Sequence, residues 1–461
     1  MGLFYCISMH KPKLSRYLLP ISLAAFLFIA ILLIGFEPQT RRFFGGNSTA
    51  PYRFSVSTIG DTSALTAQII FLEKRIERIP SSALDRSTLA ATYAAQAKLT
   101  GDTTFYDKAQ SLAQYSLKLL PFSNGGAKLT LATVAEARHQ FKEAIAIARE
   151  LQSEGKKTDG LSILITSHLA LGELGEAALE ADSFVNLKPG LGSLALKALV
   201  LTAQGRDEEA EFNFKRAILF EDIGQNQESA WVRCLLGRFY LKHGNLSEAK
   251  SLFIEATRIV PHYHFALSLL GELEMQSGHP EKAEKYFFEA FTASRQMPYF
   301  RNYGLTLKLQ GKTQPATEVE KEAYKIMQTE LDSKAYGHRL ELAQLLIERK
   351  GPKDLTDAMA LIQQELETRK SAPTYFVLAS AYATLNQWEA ANVAIQAVLR
   401  TGVREPKYFR LASEINKNLG YQDLSALYFQ LAAKLNAKNL FDFSSVLSEP
   451  PLPQNPTKTY K

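Results

Sequence analysis

Cysteine is scarce: Cys6 and Cys234 are the only two in 461 residues. A disulfide framework is therefore excluded, and any fold must rest on an apolar core. Acidic residues are missing altogether from residues 1–36, where Lys11, Lys13 and Arg16 stand unopposed. Arg41, Arg42 and Arg53 outweigh Glu37 in the next twenty residues, so five of the six net positive charges sit before residue 57. The remainder is nearly neutral and lacks the electrostatic footprint of a nucleic-acid binder. Catalytic motifs are absent too. There is no Gly-rich phosphate loop, no G-x-S-x-G and no H-E-x-x-H. Glu208-Glu209 lie among helix-surface charges and read as a solvated face. His262 and His264 form an H-x-H with no third ligand at motif spacing, so surface or helix-start histidines are expected. The reading is of a non-enzyme without metal or cofactor. Gly2 lacks the downstream Ser or Thr of a myristoylation signal.

What is present begins with one long apolar run, Tyr17 to Phe36, without a charge. At ~1.5 Å per residue a helix of this length matches a hydrocarbon core of ~30 Å. No small-residue cleavage site follows Phe36, which favours an uncleaved single-pass anchor over a signal peptide. Residues 1–16 then form a short N-terminal segment and 37–56 a flexible linker. The basic residues before the run slightly outnumber those after it, placing the large domain on the non-cytoplasmic, periplasm-type side.

The bulk of the chain is periodic. Leu236, Gly237, Gly244, Ala249, Phe253 and Ala256 recur 34 residues later as Leu270, Gly271, Gly278, Ala283, Phe287 and Ala290. This pattern, with Tyr240 and Pro261, resembles the tetratricopeptide (TPR) family, whose repeat is ~34 residues of helix–turn–helix. The resemblance implies an all-α superhelix. Gly237 and Ala249 would stand where two helices approach closely, and Phe253 would fill the space between units. Ala256 would leave room for the next unit, and Pro261 would end the second helix. Weaker copies run outward through Ala210, Ala177, Ala144 and Ala109, and through Gly304, Ala358, 372-APTYFVLASAY and 405-EPKYFRLASEI. About nine units are expected over 83–436. A capping helix within 57–82, with Leu65, Ile69, Leu72 and Ile76 on one face, would cover the first. Residues 437–461, holding Pro450, Pro451, Pro453 and Pro456, read as an extended tail.

In such an array the first helix of each unit lines the concave face, where partners bind. The exposed positions there are expected to include Trp231, Cys234, Arg238, Leu241, Phe265, Ser268, Glu272, Arg301 and Lys308. Phe376, Ser380, Phe409 and Ser413 continue the series. Aromatics and Arg are enriched at interface centres, although each aromatic could equally pack between repeats. Some TPR modules clamp a peptide carboxylate with Lys and Asn. The matching positions here are Cys234, Arg238, Ser268 and Glu272, so that clamp is not implied. The sequence thus points to a membrane-tethered scaffold that binds other proteins, in envelope assembly, polysaccharide export or secretion. A cytoplasm-facing assembly factor for a respiratory or photosynthetic complex, and an accessory subunit of a separate enzyme, are the alternatives.

Overall fold

The computed structural model describes residues 51–54, 61–155, 158–332 and 338–435. The apolar run 17–36, residues 1–16, most of the 37–56 linker and the tail 437–461 lie outside the described residues. Among the described residues no helix is long and apolar enough to cross a membrane. The chain divides into two units, Met1–Pro51 and Tyr52–Lys461, and the described helices all belong to the second.

That unit is all-α among its described residues and TPR-like in plan. A leading helix, α1 (Asp61–Arg78), precedes a run of helix pairs. Hairpins 1 to 5 are α2 (Ala83–Thr100) with α3 (Thr104–Leu119), α4 (Gly125–Ala137) with α5 (Phe141–Ser153), α6 (Leu161–Leu171) with α7 (Leu174–Leu187), α8 (Leu191–Ala203) with α9 (Asp207–Leu219), and α10 (Asn226–Lys242) with α11 (Leu246–Ile259). Hairpins 6 to 10 are α12 (His264–Gln276) with α13 (Pro280–Ala293), α14 (Met297–Leu309) with α15 (Thr313–Asp332), α16 (Arg339–Arg349) with α17 (Asp354–Thr368), α18 (Ala372–Thr384) with α19 (Trp388–Arg400), and α20 (Pro406–Asn418) with α21 (Gln422–Leu435). The described array therefore holds ten hairpins, where the spacing suggests about nine. Ala109, Ala144, Ala177, Ala210, Ala249, Ala283, Ala316, Ala358 and Ala391 are buried near the start of nine second helices. The tenth, α21, has Ser425 at that place.

The turn inside each hairpin shows why the pattern repeats. Every one contains a residue with φ between 55° and 85°: Gly101, His139, Gly172, Gly205, Gly244, Gly278, Gly311, Lys350, Asn386 and Gly420 in chain order. A left-handed residue there satisfies the last carbonyls of the first helix and reverses the chain. Glycine fills most of these positions because it carries no Cβ penalty.

Packing within a hairpin turns on small residues. A Cβ added at Gly237 would overlap the ring of Phe253, and one at Gly271 would lie 2.7 Å from Phe287 Cε1. At Gly304 the same position faces Val319 Cγ1 at 2.7 Å. The close approach at Gly237 is thus to an aromatic ring of its own hairpin. Phe253 was expected to fill the space between units. It joins a core that includes Ala249 and Ala256 of its own hairpin and Leu269 and Leu270 of the next, and it also seats against Gly237. Phe287 does the same over Gly271, and Ala290 joins the core that continues toward the C-terminus. Pro261 is exposed just beyond α11. At the other end Leu72 of α1 packs with Leu89, Tyr93, Ala94 and Ala109, and Glu73 Oε1 accepts the Tyr93 hydroxyl at 2.6 Å.

Candidate partner-binding surface

First helices pack against the next first helix as well as against their own partner, through hairpins 1 to 6 and again through 8 to 10. Consecutive second helices make no comparable contact. The first-helix face is therefore the inside of the curve, and the curve is tight enough to bring the array back onto itself. Turns inside hairpins 1 to 5 meet the connections that follow hairpins 6 to 9. Arg295 N–H donates to Thr100 O at 3.0 Å beside Gly101. The rings of His139 and His338 stand edge-on at 6.4 Å, and Arg369 lies 5.9 Å from the centre of the Phe141 ring. A Cβ at Gly172 would be 3.4 Å from Lys370 O, and one at Gly205 would be 2.6 Å from Arg404 Cδ. Finally the Lys242 ammonium pairs with the Glu405 carboxylate. Pairs 139/338, 172/371 and 205/404 share one sequence interval, which marks a regular seam between successive superhelical turns.

The seam is electrostatically organised at its C-terminal end. Burial would raise the Glu405 carboxyl, but Lys242, Lys407 and Arg238 overcome it and hold the pKa down at about 2. Asp207, beside it, is held below the usual carboxylate range by its hydrogen bond from His243, at 3.3 Å, against the opposing effect of burial. Arg238 belongs to this cluster and is exposed.

The other expected surface residues divide. Lys308 is exposed; Glu272 and Arg301 are half-buried, and Arg301 pairs with Glu348 of α16. Burial raises the Glu348 carboxyl despite that partner. Cys234, Leu241, Ser268, Phe376 and Ser413, expected at exposed positions, are buried. Phe376 is 4% exposed, 5.2 Å from the Tyr408 ring, and Lys407 Nζ sits 5.4 Å from its centre. Trp231 is half-buried against a core that includes Ile165, Ala177 and Leu196. Phe265 packs with Tyr263 at 6.4 Å, and Phe409 stacks on Tyr428 at 6.4 Å. The reason is shared: outside hairpin 7, each first helix is flanked by its partner and by at least one neighbouring first helix. Little of its circumference remains for solvent, and large side chains are drawn into the joints. The open inner face is accordingly more polar than the spacing suggests.

The histidine pair separates as well. His262 is exposed with φ 58°. His264 Nδ1 lies 2.9 Å from the Tyr299 hydroxyl. Burial, with the Lys98 ammonium nearby, pushes the His264 pKa from 6.5 down to about 4. Lys98 belongs to hairpin 1 and His264 to hairpin 6, so the influence acts between turns. The unfolded chain takes up its proton first, so this histidine lowers stability as pH falls from about 6.5 toward 4. His264→Asn, which keeps an acceptor for Tyr299, should flatten that part of a stability-against-pH curve. An unchanged acid limb would show that His264 does not titrate in the folded array as described.

Sequence reasoning missed Tyr52, Glu221, Arg233 and Glu255, which meet at the edge of hairpin 5. The one signal in the sequence was an irregularity: the connection from α9 to α10 is longer than most, and it carries Glu221.

No family model and no curated protein matches the chain. Solved structures do. The chain is similar to Cut9 in the Cut9–Hcn1 hetero-tetramer of the APC/C, at 14% identity, TM-score 0.38, covering 82% of this chain and 92% of the other. It is similar to human IFIT1, solved as a dimer with PPP-AAAA, at 12% identity, TM-score 0.43, covering 84% and 96%. PilW, described as a type IV pilus biogenesis factor, matches at 18% identity, TM-score 0.36, covering 43% and 92%. The likeness concerns the helical-repeat architecture and goes no further.

Proposed function

We propose that the chain is a membrane-tethered scaffold that binds other proteins on the inner face of its array. The observation that carries this reading is the first-helix face, packed helix on helix through hairpins 1 to 6 and again through 8 to 10. It is preformed by stacking, so that little ordering entropy opposes docking, and its open positions hold Arg238, Lys308 and half-exposed Glu272. The apolar run 17–36 supplies the tether, which concentrates partners at a bilayer. A periplasm-type location, with a role in envelope assembly, polysaccharide export or secretion, follows from the basic residues before that run. The chain has no catalytic role in this reading.

Arg238→Ala tests the surface. Its side chain is exposed and is one of three cations facing Glu405, so melting should shift by no more than about 1 kcal/mol equivalent, while capture of partners from detergent-solubilised host membranes should fall. Unfolding on this change would refute the placement of the inner face, and unaltered capture would refute its use. A reporter active only outside the cytoplasm, fused after Lys461, should be active; a silent reporter would reverse the orientation and favour a cytoplasm-facing assembly factor.

A further inference from the structure

Tyr52 precedes the array in sequence yet is buried within it. Its backbone N–H donates to Glu255 Oε1 at 2.6 Å, and its hydroxyl donates to Asn226 Oδ1 at 2.5 Å. The Arg233 guanidinium stands 5.6 Å from its ring centre. Phe54 packs edge-on against the same ring at 5.6 Å, and Arg53 Nη2 donates to Leu219 O at 3.1 Å. The receiving groups come from the end of α9, from α10 and from α11, all at one edge of hairpin 5.

These contacts differ from those of a spacer lying loosely on a surface. The backbone N–H, the aromatic face and the hydroxyl of one tyrosine are each met by a different side chain. The ring also covers an ion pair, Arg233 with Glu221, that has almost no exposed side-chain surface. Burial would raise the Glu255 carboxyl, but Arg258 and the Tyr52 N–H hold it below its ordinary value, so it is charged and ready to accept. A site that reads main chain, ring and phenol together is built to recognise an extended peptide.

We propose that this edge of hairpin 5 is a recognition site for a short extended segment of the Tyr-x-Phe type, and that the chain's own Tyr52–Phe54 is its resident ligand. The chain then enters the array at its fifth hairpin, although hairpin 1 is nearer in sequence. Covalent linkage supplies an effective concentration of order millimolar, so a site of modest intrinsic affinity stays filled, and a competing segment from another protein must displace the strap. If the membrane tether is as proposed above, residues 37–51 are all the slack between bilayer and array, about 50 Å at ~3.4 Å per residue. Only that last step rests on the tether; the docking rests on Tyr52.

The test is hydrogen–deuterium exchange on the full chain in detergent, for wild type, Tyr52→Ala and Tyr52→Phe. In wild type the Tyr52 amide should be protected. Tyr52→Ala should lose that protection and speed exchange roughly ten-fold at the start of α10 and the end of α11, leaving α16 to α19 unchanged. Tyr52→Phe, which loses only the hydroxyl bond, should fall between and guards against simple misfolding. A fluorescent peptide of residues 49–56 should bind Tyr52→Ala saturably at up to about 1 mM, the range set by the tether, and wild type at least ten-fold more weakly. Rapid exchange of residues 52–54 in wild type would overturn the docking. Absence of saturable peptide binding to Tyr52→Ala would overturn the recognition site. Failure of the tether would appear separately, as full chain that ignores lipid vesicles while its exchange at α10 and α11 is unchanged.

Discussion

Phe253→Ala is expected to destabilise the array by about 3–5 kcal/mol, the range for deleting a fully buried aromatic side chain. The ring is completely buried and rests on the backbone at Gly237. The reciprocal change, Gly237→Ala, should cost about 1–3 kcal/mol by overpacking, even though alanine is the better helix former by about 1 kcal/mol. The two effects are one contact seen from both sides, so they must not add. In a Phe253→Ala background the new methyl at 237 enters the vacated space, and Gly237→Ala should become neutral or stabilising. The coupling belongs at the upper end of the ~0.5–3 kcal/mol found for touching residues. Gly271 and Phe287 provide an internal replicate, with the added Cβ 2.7 Å from Cε1. Because repeat arrays unfold piecewise, the measurement should be local: exchange protection of α10 and α11 beside the global urea transition. Equal cost for Gly237→Ala in both backgrounds would show that the glycine serves something other than the ring.

The two positions of that contact were legible in the sequence because its cause is local, although their pairing was not: the sequence assigned Gly237 to the approach of two helices and Phe253 to the space between units. A hairpin of fixed depth needs a small residue where a large one lands, and the need recurs with every copy. The left-handed turn residues were half legible for the same reason. Glycine shows itself, but His139, Lys350 and Asn386 hold the same conformation, with φ 59°, 55° and 57°. Asn and His visit that region more often than most residues; nothing marks Lys for it in advance. The seam was not legible at all. The approach of Gly205 to Arg404, or of Lys242 to Glu405, follows from small rotations summed over five hairpins. No spacing rule connects residues so far apart.

The inner surface was legible in position and left open in character. A first helix has the same periodicity whether its large residues face solvent or a neighbour. Phe376 and Phe409 recur in register, which reads as a row of ligand contacts. In the folded chain Phe376 lies against Tyr408 and Phe409 against Tyr428, one hairpin's ring meeting the next element. Burial of an aromatic of this size contributes on the order of 2 kcal/mol, and a joint between hairpins supplies it without waiting for a partner. Arg238 and Lys308 remain exposed because desolvating a charge is costly. In the scaffold proposed above, partners would meet charge and hydrogen-bonding groups on the face, while Phe376 and Phe409 are committed to internal packing.

Arg233→Ala should be comparably severe, about 3–5 kcal/mol, for an electrostatic reason. Arg233 and Glu221 have side chains 0% and 1% exposed. The guanidinium donates to the Glu221 carboxylate and, at 3.1 Å, to Ser229 O, while the Tyr52 ring lies 5.6 Å away. Truncating the arginine leaves a carboxylate buried without its cation, and the penalty is the desolvation of that charge more than the loss of the pair itself. Removing both charges should therefore hurt less than removing one. Arg233→Met with Glu221→Leu keeps the volume apolar, and a melt near that of wild type is expected. Tyr52 separates the electrostatic argument from simple packing. In a Tyr52→Ala chain water reaches the pair, the stranded carboxylate is solvated, and Arg233→Ala should cost measurably less than in wild type. The same loss in both backgrounds would mean that the pair is held by its own hairpin alone and that the strap shields nothing.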